Sequence, residues 1–279
     1  MSERIAFQGE LGAYSHEACT TARPDAVPVP CASFEAAIEA VKSGQADFAM
    51  LPVENTTYGR VADNHRLIPD CGLFIVDEAF VRVRIALMAN AGVPLSAVKS
   101  VRAHPVLLPQ SATFLKKHGI TPISAADSAG AAAELAASGA QDQGVLASEL
   151  AAEIHGLKVL ASDIEDHGHN TTRFVIMGRE ADMSRRGKLN MMTTFVFEVR
   201  NIPAALYKAM GGFATNGVNM TKLESYMVGG HFTATQFYAE IEGHPDDRNV
   251  QLALEELSYF TDHLHLMGVY PADPRRLER

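Results

Sequence analysis

The alternation of strand and helix patterns over the first 155 residues is the strongest constraint on the fold. A short apolar strand at 4–7 leads through a glycine-containing loop into a helix that Ser15 would cap. A second helix, opened by Ser33, precedes a buried strand at 48–53, and the alternation continues to a last helix at 148–155. Such alternation predicts a mostly parallel, doubly wound sheet. We therefore expect an α/β fold with two lobes, whose loops meet at one cleft.

The composition changes at 179–188, a polar and charged segment without periodicity that is typical of a linker. We predict a first domain at 1–178 and a second domain at 189–279. The second has the β-α-β-β-α-β order of the ferredoxin-like unit. Its apolar sheet face predicts pairing with another copy, as a homodimer or homotetramer. Its predicted strands are 191–199, 219–226, 232–242 and 267–270, and its predicted helices are 204–215 and 247–264.

Charge and composition restrict the classes of partner that the protein is expected to bind. With 47% hydrophobic and 20% charged residues, a packed core is expected. The net charge of -9 argues against nucleic acid or an anionic membrane as partner. No apolar run is long enough for a membrane span and no signal peptide is visible, so we expect a cytoplasmic protein. Neither His167 and His169 nor His263 and His265 have carboxylate or cysteine neighbours at ligand spacing, so we predict no metal site.

The most informative run in the first domain is 169–174, directly before the apolar strand Val175 to Met177. Hydroxyl, amide and guanidinium donors crowd together there, and such donors hold an anionic oxygen or a leaving hydroxyl. The simpler alternative is a polar turn that enters a strand. Matching polar loops at 8–15 and 54–59 favour a binding site over a turn.

Four motifs carry a family resemblance: Phe7 to Ser15, Leu51 to Gly59, His104 to Gln110 and Asn170 to Phe174. In this order, and followed by the βαββαβ module, they resemble prephenate dehydratase over essentially the whole chain. The resemblance implies a two-lobed catalytic domain like a periplasmic binding protein at 1–178, and a regulatory ACT domain at 189–279. It also implies conversion of prephenate to phenylpyruvate, carbon dioxide and water in phenylalanine biosynthesis. Aromatisation drives that reaction, so it requires no metal or organic cofactor.

The resemblance assigns roles to the polar residues. Thr172 matches the family's essential threonine, and we expect a positioned donor because a hydroxyl is a poor general acid at neutral pH. Arg173 would either grip a substrate carboxylate or pair with Glu54, which would organise neighbouring donors. His104 is expected to cap a loop, with a role as the acid as the alternative, and Phe174 is expected to lie in the core. The predicted catalytic residues are Thr172 and Arg173, and the predicted substrate-binding residues are Ser15, Glu54, Asn55, Thr56, Gln110, Asn170 and Thr171.

The chain departs from the family pattern at several positions. Thr56 stands where serine is common, and Ser111 stands where cysteine is common. In the second domain, 204–206 match the family's Gly-Ala-Leu imperfectly, and 224–227 keep only the Glu and Ser of Glu-Ser-Arg-Pro. We therefore expect L-phenylalanine as effector with altered or weaker sensing; the alternative is a domain kept only for dimerisation. The predicted effector-binding residues are Ala204, Ala205, Leu206, Asn219, Met220, Glu224 and Ser225.

Two other functions stay open at the level of the sequence. The first is arogenate dehydratase, in which an amino group replaces the keto group of the substrate, and nothing in the motifs excludes it. The second is a non-catalytic sensor, because two-lobed α/β domains bind small molecules without chemistry.

Overall fold

The computed structural model describes residues 2–184, 190–200, 202–227 and 234–277, so the predicted linker 179–188 lies partly outside the described residues. The strands are β1 (Arg4–Gln8), β2 (Val27–Cys31), β3 (Phe48–Asn55), β4 (Gly59–Arg60), β5 (Phe74–Arg82), β6 (Ala86–Ala89), β7 (Ser100–Ala103), β8 (Thr121–Ser124), β9 (Gln143–Ala147), β10 (Lys158–Ala161), β11 (Thr171–Gly178), β12 (Met191–Val199), β13 (Met220–Met227), β14 (Ala234–Glu242) and β15 (Thr261–Pro271). The helices are α1 (Tyr14–Ala22), α2 (Phe34–Lys42), α3 (Ala62–Leu67), α4 (Leu107–Gln110), α5 (Ala112–His118), α6 (Ser128–Ser138), α7 (Glu149–His155), α8 (Ala205–Thr215) and α9 (Arg248–Phe260).

The chain forms two compact units. Unit 1 comprises Met1–His65 and Ala79–Phe174, and unit 2 comprises Arg66–Glu78 and Val175–Arg279. The boundaries between them fall inside β5 and inside β11. The domain limits expected from the sequence, at 178 and 189, stay a prediction.

Unit 1 contains two lobes, each with its own sheet. In the first lobe, β1 pairs in parallel with β2 and β3, and the start of β11 lies beside β3. Ile5, Ala6 and Phe7 are fully buried there. The second lobe has the strand order β10-β6-β9-β7-β8. Its β7 is parallel to β8 and β9, but β6 runs antiparallel to β9 and β10. This strand follows β5 without a crossover helix, so it is not obliged to run parallel to its neighbours.

Of two predicted helix starts in unit 1, one agrees with the structure and one differs. Ser33 caps α2 by accepting from the N–H of Ala36 at 3.2 Å, as predicted. Ser15 caps nothing, because α1 begins one residue earlier, at Tyr14. The imidazole of His16 explains the shift: its Nδ1 accepts the N–H of Gly12 at 3.0 Å and closes the turn in front of the helix.

The segment around Gln110 is two short helices rather than one. The sequence pattern predicts a helix that carries 110–118. The structure breaks it at Ser111, whose backbone (φ -115°, ψ 16°) is not helical. The N–H of Ser111 donates to the carbonyl of Leu108 at 3.3 Å, three residues back, and this tighter turn closes α4. Gln110 therefore ends α4 and is held independently of α5.

Unit 2 contains the predicted ferredoxin-like order, with strands arranged β13-β14-β12-β15 and helices α8 and α9. The apolar groups Phe195, Phe197 and Phe237 form its core together with both helices. The α/β class with a two-lobed first part and a βαββαβ second part is thus confirmed. Two adjoining predicted limits were wrong: α9 ends at Phe260 rather than at 264, and the strand after it begins at Thr261 rather than at 267. The residues after it pair with β12, for example Leu264 with Phe197, and the alternation of Leu264 and Leu266 towards the core is that of a strand.

No helix among the described residues has both the length and the apolar character needed to cross a bilayer.

Candidate functional site

The adjacent strands β3 and β11 bring together two polar motifs that are far apart in the sequence, 51–59 and 170–174. Nδ2 of Asn55 donates a hydrogen bond to Oγ1 of Thr172 at 3.0 Å, across 117 positions of the sequence. The backbones are joined next to this contact, because the N–H of Thr56 donates to the carbonyl of Thr171 at 2.9 Å. The register of the strands therefore determines where the Thr172 hydroxyl lies.

The amide of Asn55 has only one orientation consistent with its neighbours. Its Oδ1 accepts the backbone N–H groups of Thr57 at 2.9 Å and Tyr58 at 3.0 Å. Only an oxygen can accept both, so the NH₂ group must face the opposite way. There it donates to Thr172 and also to Oδ1 of Asn170 at 2.6 Å. Both of its hydrogens are used, and Thr172 is an acceptor in this bond.

The series of hydrogen bonds continues into the second lobe with the same donor-to-acceptor direction. Asn170 donates from Nδ2 to Oε1 of Gln110, and Gln110 donates from Nε2 to the carbonyl of Val106 at 2.9 Å. Backbone groups at both ends of this series of hydrogen bonds therefore fix the donor-to-acceptor direction of each bond in it. Asn170 and Gln110 are buried. Within the described part of the chain, three hydrogens of this network have no acceptor: the hydroxyl hydrogen of Thr172 and one amide hydrogen each on Asn170 and Gln110.

The hydroxyl of Thr56 is engaged inside the protein. It donates to the carbonyl of His169 at 3.0 Å and accepts the N–H of Thr171 at 2.9 Å. Its hydrogen is therefore committed to the connection between β3 and β11. Substrate binding by Thr56 and Thr171 stays a prediction, and for the Thr56 hydroxyl it is restricted to the remaining oxygen lone pair.

Arg173 and Glu54 form an ion pair on the other face of the same two strands. Nη1 of Arg173 lies 2.9 Å from Oε2 of Glu54, and the arginine side chain is only 5% exposed. Adjacent residues of a strand point to opposite faces, so Arg173 faces away from the Thr172 hydroxyl. Of the two partners that the sequence left open for Arg173, the structure shows Glu54. Its predicted catalytic role remains untested.

Ser15, His104 and Tyr58 lie outside strands β3 and β11. Ser15 is half-buried in the first turn of α1, and among the described residues no hydrogen bond joins it to the Asn55 network. His104 accepts the N–H of Val106 at Nδ1, at 3.3 Å, which agrees with the capping role expected for it. Tyr58 was not predicted as a site residue, but its hydroxyl donates to the carbonyl of Val106 at 2.9 Å. Its place inside the motif 51–59 was the available signal.

Burial shifts the pKa values of the ionisable groups of α1 beside Ser15 in the direction of the neutral form. Burial lowers the pKa of His16 and raises that of Glu17, against which Arg84 acts in the opposite direction. Burial also raises the pKa of Tyr14 well above its usual value and that of Cys19 to about 12. Cys19 is therefore a buried thiol rather than a nucleophile. Over the described ranges, no three His, Cys, Asp or Glu side chains cluster closely enough to hold a metal ion.

The predicted effector residues are spread along one helix and one strand of unit 2. Ala204 precedes α8 in the left-handed conformation (φ 61°), and Leu206 packs partly against the core. Asn219 and Met220 follow the other end of α8, which has 11 residues and so spans roughly 16 Å. One amino acid could not contact both ends within one copy. Glu224 and Ser225 lie on opposite faces of β13, and effector binding by this set remains a prediction.

Comparison with known proteins identifies the class to which this fold and site belong. The sequence model of the prephenate dehydratase family matches residues 5–182. The chain belongs to the prephenate dehydratase family. A relative from Komagataeibacter europaeus, named a bifunctional N-acyl-homoserine lactone acylase/prephenate dehydratase, is 46% identical over 272 residues, which cover 98% of this chain and 97% of that protein. An Arabidopsis thaliana chloroplastic arogenate dehydratase/prephenate dehydratase is 36% identical over 98% of this chain and 74% of its own length.

Solved structures agree with this assignment. A protein described as a quorum-quenching acylase superposes with a TM-score of 0.93 at 46% identity, covering 98% of this chain and all (100%) of that one. The Arthrobacter aurescens prephenate dehydratase, solved in complex with L-Phe, superposes with a TM-score of 0.87 at 29% identity, over 96% of this chain and 90% of that one.

Proposed function

We propose that this protein is a prephenate dehydratase, which converts prephenate to phenylpyruvate, carbon dioxide and water. The bond from the prephenate ring to its carboxylate breaks, its electrons enter the ring, and the bond from the ring to the hydroxyl oxygen breaks at the opposite carbon. The departing hydroxide takes up one proton to become water. The observation that carries the proposal is the Thr172 hydroxyl, held by Asn55 with its hydrogen uncommitted among the described residues.

Thr172 acts as the donor to the departing oxygen. Asn55 occupies one lone pair of the Thr172 oxygen, so the hydroxyl hydrogen is directed away from Asn55. A donor held in place before the reaction stabilises charge that develops on the leaving group without further reorganisation. A threonine hydroxyl has too high a pKa to transfer its own proton efficiently at neutral pH. The proton that completes the water molecule therefore comes from solvent, and Thr172 contributes the hydrogen bond.

The other predicted residues bind the substrate or hold Thr172 in position. The uncommitted amide hydrogens of Asn170 and Gln110 are neutral donors suited to an oxygen of the substrate. The pair of Arg173 with Glu54 holds β11 against β3 and so sets the position of Thr172. Ser15, on α1, is a further substrate-binding candidate. None of these steps uses a metal or an organic cofactor, in agreement with the family chemistry.

The test is the appearance of phenylpyruvate from prephenate, followed by its ultraviolet absorbance in alkali. We expect turnover by the purified chain and full activity after exhaustive chelation. Absence of phenylpyruvate above the spontaneous rate would contradict the proposal. Activity that is lost on chelation and restored by zinc or magnesium would contradict the metal-free mechanism.

Arogenate is the alternative substrate, because several plant relatives at 34–37% identity are named arogenate dehydratases. Arogenate differs only where an amino group replaces the keto group of the side chain, while the ring that reacts is the same. The values of kcat/KM for the two substrates, measured side by side on one preparation, decide the preference. We expect the higher value for prephenate.

Acylase activity is a second candidate function, favoured by one observation. The relative that is 46% identical over nearly the whole of both chains is named for both activities. In this reaction water adds to the amide carbonyl, the C–N bond breaks, and a fatty acid and homoserine lactone are released. Incubation with an N-acyl-homoserine lactone and quantification of both products by mass spectrometry tests it. The Thr172→Ala variant shows whether the two activities share one site.

Regulation by phenylalanine is proposed for unit 2. Its support is the βαββαβ order and the relative solved with L-Phe. We propose that phenylalanine binds between paired copies, in a homodimer or homotetramer, and favours a less active state by about 1–3 kcal/mol, the ordinary size of allosteric coupling. Calorimetry with phenylalanine and light scattering test both parts. If no heat of binding is detected, and inhibition is unchanged after truncation beyond the linker, dimerisation is the only role of this unit.

A further inference from the structure

We infer that Tyr58 is a positioning residue for the dehydration: its hydroxyl closes a ring of hydrogen bonds that joins the two lobes of unit 1 around Thr172. The inference rests on the proposed function and goes beyond it, because it assigns a role to a side chain that neither the sequence motifs nor the proposed chemistry requires.

The ring can be followed bond by bond. The N–H of Tyr58 donates to Oδ1 of Asn55 at 3.0 Å, and Nδ2 of Asn55 donates to Oδ1 of Asn170 at 2.6 Å. Asn170 donates to Oε1 of Gln110, and Nε2 of Gln110 donates to the carbonyl of Val106 at 2.9 Å. The hydroxyl of Tyr58 donates to that same carbonyl at 2.9 Å and so completes the circuit.

The carbonyl of Val106 is the point where the two halves of the ring meet. A carbonyl oxygen has two lone pairs, and here Gln110 takes one and Tyr58 takes the other. Val106 and Gln110 belong to the turn that forms α4 of the second lobe, whereas Tyr58 and Asn55 belong to the β3–β4 hairpin of the first. The hydroxyl of Tyr58 therefore sets the distance between the hairpin and α4.

This distance matters because Asn55 is shared by the ring and by Thr172. Any shift of α4 moves Gln110 and Asn170, and through them it moves the NH₂ group that holds Oγ1 of Thr172. A displacement of a reacting group by about 1 Å can lower a rate by up to about 10²-fold. The Tyr58 side chain is 48% exposed, so water can replace the carbonyl of Val106 as the partner of its hydroxyl. The bond to Val106 therefore adds little to stability. The Tyr58 hydroxyl contributes instead to the position of the groups around Thr172.

The chain offers a matched control. Tyr14 also donates from its hydroxyl to a backbone carbonyl, that of Arg84, at 2.9 Å, but this bond lies outside the ring. Tyr58→Phe and Tyr14→Phe each remove one such bond and leave the aromatic ring in place. We expect Tyr58→Phe to lower kcat by about tenfold with less than a threefold change in KM, and Tyr14→Phe to leave kcat within twofold of the wild type. A wild-type kcat in Tyr58→Phe would overturn the inference.

A double-mutant cycle separates positioning from an independent contribution. In Gln110→Ala the ring is already open, so adding Tyr58→Phe should lower kcat by less than about threefold. Two effects that multiply would show that the hydroxyl acts independently of the ring and would overturn the inference.

A readout that does not depend on activity tests the ring itself. In hydrogen–deuterium exchange of the full chain, Tyr58→Phe should speed exchange in peptides that cover 55–60 and 104–112, and Tyr14→Phe should not. If the wild type turns over neither prephenate nor arogenate, the proposed function is wrong, whatever the exchange shows. If the wild type is active and exchange in both segments is unchanged by Tyr58→Phe, the ring inference alone is wrong.

Discussion

Asn55 and Thr172 meet at 3.0 Å, and the hydrogen bond runs from the amide to the hydroxyl. The direction is set by two backbone N–H groups, those of Thr57 and Tyr58. Both donate to Oδ1 of Asn55, so the NH₂ group of this amide faces Thr172. Because Thr172 accepts in this bond, its own hydrogen is left for another oxygen. The hydroxyl is thus a donor whose position is decided by the β3 backbone.

Removal of the Thr172 hydroxyl should therefore affect turnover far more than folding. We expect Thr172→Ala to lower kcat by about 10²-fold or more, the scale for loss of one well-placed donor. Thr172→Ser should keep much of the activity because it keeps the hydroxyl. Steady-state kinetics on prephenate measure both, and thermal melts should show only small changes in stability. Near-normal turnover in Thr172→Ala would remove this residue from the mechanism.

The pair of Arg173 with Glu54 should contribute mainly to stability. Arg173→Met leaves a carboxylate that is 34% exposed without its guanidinium, so the expected loss is about 2–3 kcal/mol, below the range for a fully buried pair. The surface pair of Arg200 with Asp262 is the control: both side chains are more than half exposed, and Arg200→Met should cost less than about 0.5 kcal/mol. Denaturant unfolding measures both.

The same variants test whether Arg173 also contacts the substrate. If Arg173→Met keeps wild-type stability but abolishes turnover, the ion pair is not its main role. The carboxylate-binding alternative left open by the sequence then becomes the better account.

His16 should make stability depend on pH. Burial lowers the pKa of His16 in the folded state, and its Nδ1 must stay unprotonated to accept the N–H of Gly12. As pH falls below about 6.5, the unfolded chain takes up a proton that the folded chain resists, so this group removes stability until the folded-state pKa is passed. His16→Asn keeps an acceptor but does not titrate. The change in melting temperature between pH 7.5 and 5.5 should be smaller in the variant, and an equal change would contradict the assignment.

Two buried serines should respond to alanine in opposite directions. Oγ of Ser111 is buried without a hydrogen-bond partner among the described residues, so Ser111→Ala should raise stability by roughly 1 kcal/mol. Ser148 donates to the carbonyl of Gly12 at 2.6 Å and caps α7 by accepting from Ala151, so Ser148→Ala should lower stability by about 1–2 kcal/mol. Melting temperatures of both variants check the signs. Destabilisation by Ser111→Ala would mean that its hydroxyl is bonded to water.

Much of the fold could be predicted because it depends on local pattern. The strand over 191–199 was predicted with the limits that the structure shows, since a long apolar run next to a linker allows little else. The end of α9 was not predicted correctly. The residues after Phe260 are extended because they pair with β12, and this pairing is not visible in the local sequence. The cap of α1 was also missed, because His16 competes with Ser15 for the same turn.

The sequence by itself determined the α/β class, the βαββαβ order of the second part, and the family to which the polar motifs belong, because these follow from periodicity and from residue types in a fixed order. Tertiary structure alone decided that Arg173 lies against Glu54, which way the Asn55 amide faces, and that Tyr58 reaches Val106. The physical reason is that the direction of a hydrogen bond depends on backbone groups that are far apart in sequence. Their meeting is decided by strand register and lobe contact, which no local pattern contains.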